Sequence, residues 1–260
     1  MFHVSILFKF IEYKNKKMNI LALIPARGGS KGIKMKNIKK FKGKELIYWS
    51  IKIAKDSKYI NRVIVSTDNN KIKETALKYG AEVPFMRPKE ISGDLSNDYQ
   101  FIKHCLDYLK ETEGEIPDIV IQLRPTYPTR RLSILDETIE IFMNCFDEYD
   151  SLRTVYKLDK SPYKMYRVVN KQLIPLFKEV DGINEPYNEC RQKLPEAYIH
   201  NGYIDIIKSS IVYDKNSITG DSIYPYIMNS NEYHDIDTEK DWKEAEISHS
   251  GSSSNVEKIT

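Results

Sequence analysis

Asn19-Ile-Leu-Ala-Leu-Ile-Pro-Ala-Arg27-Gly-Gly-Ser30-Lys31-Gly-Ile-Lys34-Met-Lys36-Asn37 joins an apolar run to a loop holding three glycines and four cations. An unbroken run of Ile, Leu and Ala is the pattern of a parallel strand buried on both faces, and open α/β sheets bind ligands at the carboxyl ends of such strands. Ala26 to Lys36 is therefore expected to be a ligand-facing loop. Its glycines let the backbone come close to a ligand and turn N–H groups inward. Arg27, Lys31, Lys34 and Lys36 add positive charge, Arg27 as a two-pronged donor and the lysines as point charges. That combination asks for a polyphosphate. A Walker A loop is excluded, because Ile33 stands where its second glycine belongs, and the G-x-G-x-x-G fingerprint is absent.

Outward from this stretch the chain alternates. Glu45 to Lys55 carries apolar residues at helical spacing, Arg62 to Asp68 is a β-branched run, and Asn70 to Tyr79 reads as a helix closed by Gly80. Ala81 to Phe85 is expected to be the next strand. Ser96 is expected to cap a helix through Glu111, and Asp118 to Leu123 to form a fourth strand. Ser133 with Asp136 resembles a capping box for the helix that follows. Strands alternating with helices predict a three-layer α/β fold with a mainly parallel sheet. After Tyr156 the pattern changes: Tyr163–Val169 and Gln172–Leu176, joined at Asn170-Lys171, predict an antiparallel hairpin. Alternation resumes with Gly202–Ile207, Tyr224–Met228 and a helix from about Lys240 to Ser248 begun by Thr238. Residues 1–17 read as an extension before the domain, and 249–260 as a flexible Ser-rich tail.

In 260 residues, 41% hydrophobic and 30% charged, a substantial core can be buried. A net charge of +3 gives no nucleic-acid footprint, and the amino-terminal run is too short to cross a bilayer. Three scattered cysteines, without paired spacing, fit a reduced, cytoplasmic setting.

The motif L-x-P-A-R-G-G-S-K-G-I-x-x-K-N resembles the signature of the CMP-N-acetylneuraminate synthetases, the acylneuraminate cytidylyltransferase family. Two further stretches are similar to the same family. Gln122-Leu-Arg124-Pro-Thr126-Tyr127-Pro-Thr-Arg130 resembles L-Q-P-T-S-P-L-R, with Arg124 in place of Gln and Tyr127 in place of Ser. Cys190-Arg191-Gln192-Lys-Leu-Pro195, followed by Asn201-Gly202, resembles P-R-Q-x-L-P…N-G, with Cys190 in place of Pro.

The resemblance covers roughly Met18 to Ser248. It implies a nucleotide-diphospho-sugar transferase-like (Rossmann-like) fold with a small antiparallel dimerisation and sugar-binding insertion at about 157–198. It also implies transfer of CMP from CTP to the anomeric hydroxyl of an acidic 2-keto sugar by a homodimer. Nucleotide contacts are then expected from Ala26, Arg27, Gly28, Ser30, Lys31, Lys36, Asn37, Arg87 and Ser96, with Arg27, Lys31, Lys36 and Asp237 at the chemistry. Asp94 and Asp98 are expected in the same base-side loop as Ser96. Sugar contacts are expected from Arg124, Thr126, Tyr127, Arg191, Gln192 and Asn201. Arg124 is expected either to engage the sugar carboxylate or to mark a different acidic sugar. An octulosonate, or a sugar 1-phosphate, is the alternative acceptor.

Asp235-Ile-Asp237 adds a reading from spacing. In an extended backbone residues two apart face one way, so Ile236 enters the core while Asp235 and Asp237 face outward together. Paired carboxylates suit Mg²⁺, a hard cation held by few protein oxygens and completed by phosphates and water.

Overall fold

The computed structural model describes residues 18–30, 32–229 and 235–252. Lys31, residues 1–17 and residues 253–260 lie outside the described residues.

The apolar run of the loop motif forms β1 (Ile20–Pro25). The chain continues through β2 (Lys40–Phe41), β3 (Lys44–Glu45), β4 (Arg62–Ser66), β5 (Ile119–Gln122) and β6 (Ser151–Lys157). Then come β7 (Tyr166–Val169), β8 (Gln172–Pro175), β9 (Glu179–Val180), β10 (Ile183–Asn184), β11 (Tyr198–Lys208) and β12 (Ile223–Ile227). The main sheet has the order β12-β6-β11-β5-β1-β4. β1 pairs parallel with β4 and with β5, while β11 pairs antiparallel with β5. β1 is thus flanked on both edges, and Ile20 to Ile24 are almost fully buried. That is why its sequence shows no alternation.

The helix Asp98–Glu113 turns Phe101, Ile102, Cys105, Leu106 and Leu109 onto the sheet, where they meet Leu21, Leu23, Ile64 and Val120. A second core is built from distant pieces: Ile33 of the glycine-rich loop, Phe41, Leu46, Ile236, and Trp242 with Ala245 of the helix Glu239–Ser252. This small core fixes the loop against the Asp235–Asp237 stretch. Among the described residues no helix is long and apolar enough to cross a membrane.

The chain divides into two compact units. The second comprises Thr154–Asn201 with the stretch beginning at Ile227, and the first holds the rest of the described chain. Within the second unit β7 and β8 form the expected hairpin, turned by Asn170 (φ 49°) and Lys171 (φ 64°).

Four local expectations are corrected. Ala81 to Phe85 contributes only an isolated bridge between Glu82 and Ile64, since Pro84 has no N–H to carry a ladder onward. The helix at Asp98 is capped by Asn97, in a reciprocal box with Gln100, and not by Ser96. The helix Leu132–Asn144 begins behind Arg131 without a side-chain cap, since Ser133 already lies inside its first turn; the Asp136 carboxylate accepts instead from Ser57 Oγ at 2.5 Å. The last helix reaches Ser252, beyond the expected start of the tail.

Candidate active site

At the carboxyl end of β1 the chain opens a cleft of about 540 Å³ within the first unit. Arg27, Ser30, Lys36, Asn37, Arg87 and Ser96, all expected at the nucleotide, line it; so do Arg124, Thr126 and Asp237. Ala26 is buried, and its N–H is bonded to Ser66 O at 3.0 Å, so it serves the loop's anchorage. Gly28 donates its N–H to Asp68 Oδ1 at 2.7 Å, tying the loop to the end of β4. Gly32 has no room for a side chain, since a Cβ would stand 2.2 Å from the carbonyl oxygen of Asp237. That close approach explains one loop glycine by packing rather than by ligand contact.

Three sequence motifs meet here. Lys36 Nζ donates to Ile236 O at 2.7 Å and to Asp237 Oδ1 at 2.9 Å. The Ile236 N–H donates to Thr126 O at 3.0 Å. Ile236 itself is fully buried; beside it the Asp237 side chain is exposed and meets Lys36, whereas Asp235 is held by Thr126 and the buried Tyr127. Thr238 caps the following helix, its Oγ1 accepting from the Asp241 N–H at 3.2 Å, while the Asp241 carboxylate accepts back from the N–H groups of Thr238 and Asp237.

The electrostatics of the carboxylate pair are distinctive. Burial raises the Asp235 pKa, and so does the like charge of Asp237; hydrogen bonds from Thr126 and Tyr127 and the charge of Lys36 only partly offset this. Among the described residues no group of three or more His, Cys, Asp or Glu side chains stands together. Two neighbouring carboxylates supply hard oxygen donors of the kind that Mg²⁺ takes.

Arg27 reaches across the cleft, donating Nη1 to Gly93 O at 2.7 Å and pairing Nη2 with Asp94 at 3.0 Å. Arg87 is buried, donates Nε and Nη2 to Ser66, and lies 4.7 Å over the Phe101 ring. Burial pushes its pKa down to about 10, against the pull of Asp68 and Asp98. Arg124 gives Nη2 to Asp98 and Nη1 to Asp205, each at 2.6 Å. Burial acts to lower its pKa, but Asp205 and Asp98 outweigh burial and raise it.

The remaining expected sugar residues are placed differently. Tyr127 is buried edge-on to Tyr203, and burial, with the Asp235 carboxylate beside it, raises its pKa. Asn201 belongs to the second unit, where its Oδ1 accepts from Thr154 Oγ1 at 2.6 Å. Arg191 and Gln192 lie on a short 3-10 turn lining a pocket of about 400 Å³ in that unit, together with Lys157 and Ser161. Asp205 escaped the sequence reading. Its signal was available: a lone carboxylate within the apolar run Tyr203-Ile-Asp205-Ile-Ile207, where an unpaired charge is intolerable.

Comparison with known proteins agrees with this geometry. Residues 21–172 match the family model described as Cytidylyltransferase. The chain belongs to the cytidylyltransferase family. It is 32% identical over 228 residues to the post-translational flagellin modification protein B of Campylobacter coli, covering 88% of this chain and 94% of that protein. To the pseudaminic acid cytidylyltransferase of Campylobacter jejuni it is 30% identical over 230 residues, covering 88% and 96%. Its fold is like that of CMP:2-keto-3-deoxy-manno-octonic acid synthetase complexed with CTP, with a TM-score of 0.65 at 15% identity over 90% of this chain and 99% of that one. This cytidylyltransferase is accordingly a nucleotidyl-transferring enzyme on a mainly parallel α/β sheet.

Proposed function

We propose that this cytidylyltransferase transfers CMP from CTP to the anomeric hydroxyl of an acidic nine-carbon 2-keto sugar, releasing pyrophosphate. The observation that carries the reading is the convergence of Lys36, Thr126 and Asp237 in one cleft, from segments up to 201 residues apart. The pseudaminic acid cytidylyltransferase, similar along most of its length, supports the sugar class.

In this reaction the anomeric oxygen bonds to the α-phosphorus as the bond to the bridging pyrophosphate oxygen breaks, and the hydroxyl proton is released to water. Catalysis of such a displacement is chiefly positioning and neutralisation of charge. The loop N–H groups and Ser30 cradle the leaving phosphates, and Arg27 exchanges Asp94 for phosphate oxygens. Lys36 has three N–H donors; two hold Ile236 and Asp237, and the third serves an oxygen of the reacting phosphate. Asp235 and Asp237 would hold Mg²⁺, which when bound supplies charge neutralisation at the α-phosphate and acidifies the attacking hydroxyl. Lys31 adds to the phosphate cradle as the sequence motif implies. Arg191 and Gln192 serve the sugar's carboxylate and hydroxyls.

The protein acts as a homodimer in this reading, supported by the exposed apolar residues Val168, Leu173, Leu176 and Phe177 of the second unit. Use of CTP and three unpaired thiols favours the cytoplasm.

Pyrophosphate release over a grid of four nucleoside triphosphates and several acidic 2-keto sugars, with Mg²⁺, tests the proposal. Release is expected with CTP and a nonulosonate. Release with a sugar 1-phosphate instead would refute it.

A further inference from the structure

The chain's two tryptophans, Trp49 and Trp242, belong to the same small core, which joins segments far apart in sequence. Its buried members are Ile33 of the glycine-rich loop, Phe41, Leu46, Ile236, Trp242 and Ala245. Ile33 follows the loop glycines directly, and Ile236 directly precedes Asp237. Trp242 is the largest of these side chains, is only 4% exposed and meets the Phe41 ring edge-on at 5.7 Å. It does not line the cleft.

Polar contacts close the same junction. Lys36 opens the 3-10 turn Lys36–Ile38 and Lys39 follows it. Lys36 Nζ holds Ile236 O and Asp237, as described above, while Lys39 Nζ pairs with Glu239 at 2.7 Å and lies 4.6 Å over the Trp242 ring. The indole is also held from its own helix, its Nε1 donating to Glu246 Oε1 at 3.2 Å. Gly32 leaves no slack between loop and carboxylate, given how close its Cα stands to Asp237 O. A glycine-rich backbone has too much conformational freedom to hold its own place, so its position has to be imposed by what packs against it. An interior at crystal-like density transmits a displacement rather than absorbing it.

Resting on the proposed CMP transfer, we infer that Trp242 is a positioning residue for the reaction: through the core it shares with Ile33 and Ile236, it holds the phosphate loop in register with Lys36 and Asp237. In-line displacement at phosphorus tolerates little misplacement, since an error of about 1 Å can cost roughly 100-fold in rate. The terminal helix Glu239–Ser252 thereby governs chemistry that none of its side chains performs. Phosphate binding draws on the loop, and Ile33 carries that movement to the indole.

The experiment compares Trp242→Leu and Trp242→Phe with wild type by pyrophosphate release from CTP, with Mg²⁺ and an acidic nine-carbon 2-keto sugar, below each protein's melting temperature. Trp242→Leu is expected to lower kcat at least about tenfold and to leave the sugar KM within about twofold. Trp242→Phe, which keeps a ring against Phe41, is expected to recover kcat to within about threefold of wild type. Should Trp242→Leu fail to fold, Lys39→Met stands in for it, removing the ammonium over the indole and the pair with Glu239 but not the core; its kcat is expected to fall at least about threefold. A second readout needs neither turnover nor metal. In a Trp49→Phe protein Trp242 is the sole indole, and CTP alone is expected to shift its emission with the dissociation constant that calorimetry gives. Wild-type kcat in the folded Trp242→Leu protein, or in Lys39→Met standing in for it, would overturn the inference. So would a loss of kcat that Trp242→Phe does not recover, or an emission that CTP leaves unchanged while calorimetry records binding. A protein whose indole reports CTP yet that releases no pyrophosphate with any acidic sugar would refute the proposed CMP transfer while upholding the coupling of loop and helix.

Discussion

In β1 every side chain from Ile20 to Ile24 is buried and both edges are paired, whereas the hairpin of β7 and β8 leaves Val168 at 73% and Leu173 at 66% exposure. The first strand is stabilised entirely by its own unit: each fully buried Leu or Ile contributes about 1.5–3 kcal/mol, and the parallel ladders satisfy its backbone. Its carboxyl end can therefore carry a loop in which only Gly32 and Ile33 are given over to packing. The hairpin has the backbone of a regular two-stranded ribbon but apolar side chains that stand exposed among the described residues. Two-stranded ribbons are marginal alone, so this unit calls for a covering partner. One region is a finished core with a functional end, and the other keeps apolar side chains exposed among the described residues.

The largest effect that would break this contrast concerns the functional end. Asp237→Asn keeps the shape of the side chain and leaves Ile236 in its core, so the fold is expected to persist. It removes one carboxylate of the pair and the partner of Lys36. Turnover is expected to fall by at least about 100-fold, on the scale of losing a preorganised electrostatic contact in a transition state. Wild-type turnover with Mg²⁺, alongside an unchanged circular dichroism spectrum, would remove Asp237 from the chemistry.

A smaller effect is expected at the open surface. Val168→Asp combined with Leu173→Asp places charge on the hairpin face without touching the first unit's core. Sedimentation should show the dimer shifted to monomer at micromolar concentration, with the melting transition of the first unit kept within a few degrees. If the variant stays dimeric, the hairpin is not the covered face.

The same contrast governs what the sequence revealed. β1 and its loop were legible because a doubly buried strand has an unmistakable composition and because glycine and cations have few other uses in such density. Asp235 and Asp237 were legible because period-two spacing around one apolar residue leaves little choice of direction. The partners of Arg124 were not. Asp205 lies 81 residues away in sequence, and no local pattern reports a pairing made only when β11 docks on β5. Helix caps failed for a related reason: Ser96, Asn97, Ser133 and Asp136 are all chemically able to cap. Gln100 decided for Asn97 in one case; in the other neither side chain caps, because the helix already begins at Leu132 behind Arg131.

The smallest expected effect sharpens the contrast by showing that the finished core does not depend on its surface charges. Arg62, at the start of β4, forks between Glu82 and Glu113, pairing with Glu113 at 2.6 Å. The hydrogen bond from Arg62 is the main cause that lowers the Glu113 pKa. A carboxyl whose folded pKa lies below its unfolded value adds stability above the unfolded pKa and loses it as pH falls through the folded one. The Glu113 side chain is 39% exposed, so solvent screens the pair and Glu82 still satisfies Arg62 in its absence. Glu113→Gln is therefore expected to cost only about 0.3–1 kcal/mol at pH 7. At an acid pH low enough to protonate the wild-type carboxyl in the folded protein, the difference between the two proteins should shrink toward zero. Urea unfolding of both proteins at the two pH values provides the check. A loss well above that range at pH 7, or one that persists undiminished in acid, would mean that Glu113 packs the end of the helix rather than pairing its charge, and that surface contacts of the first unit matter more than the burial of β1 implies.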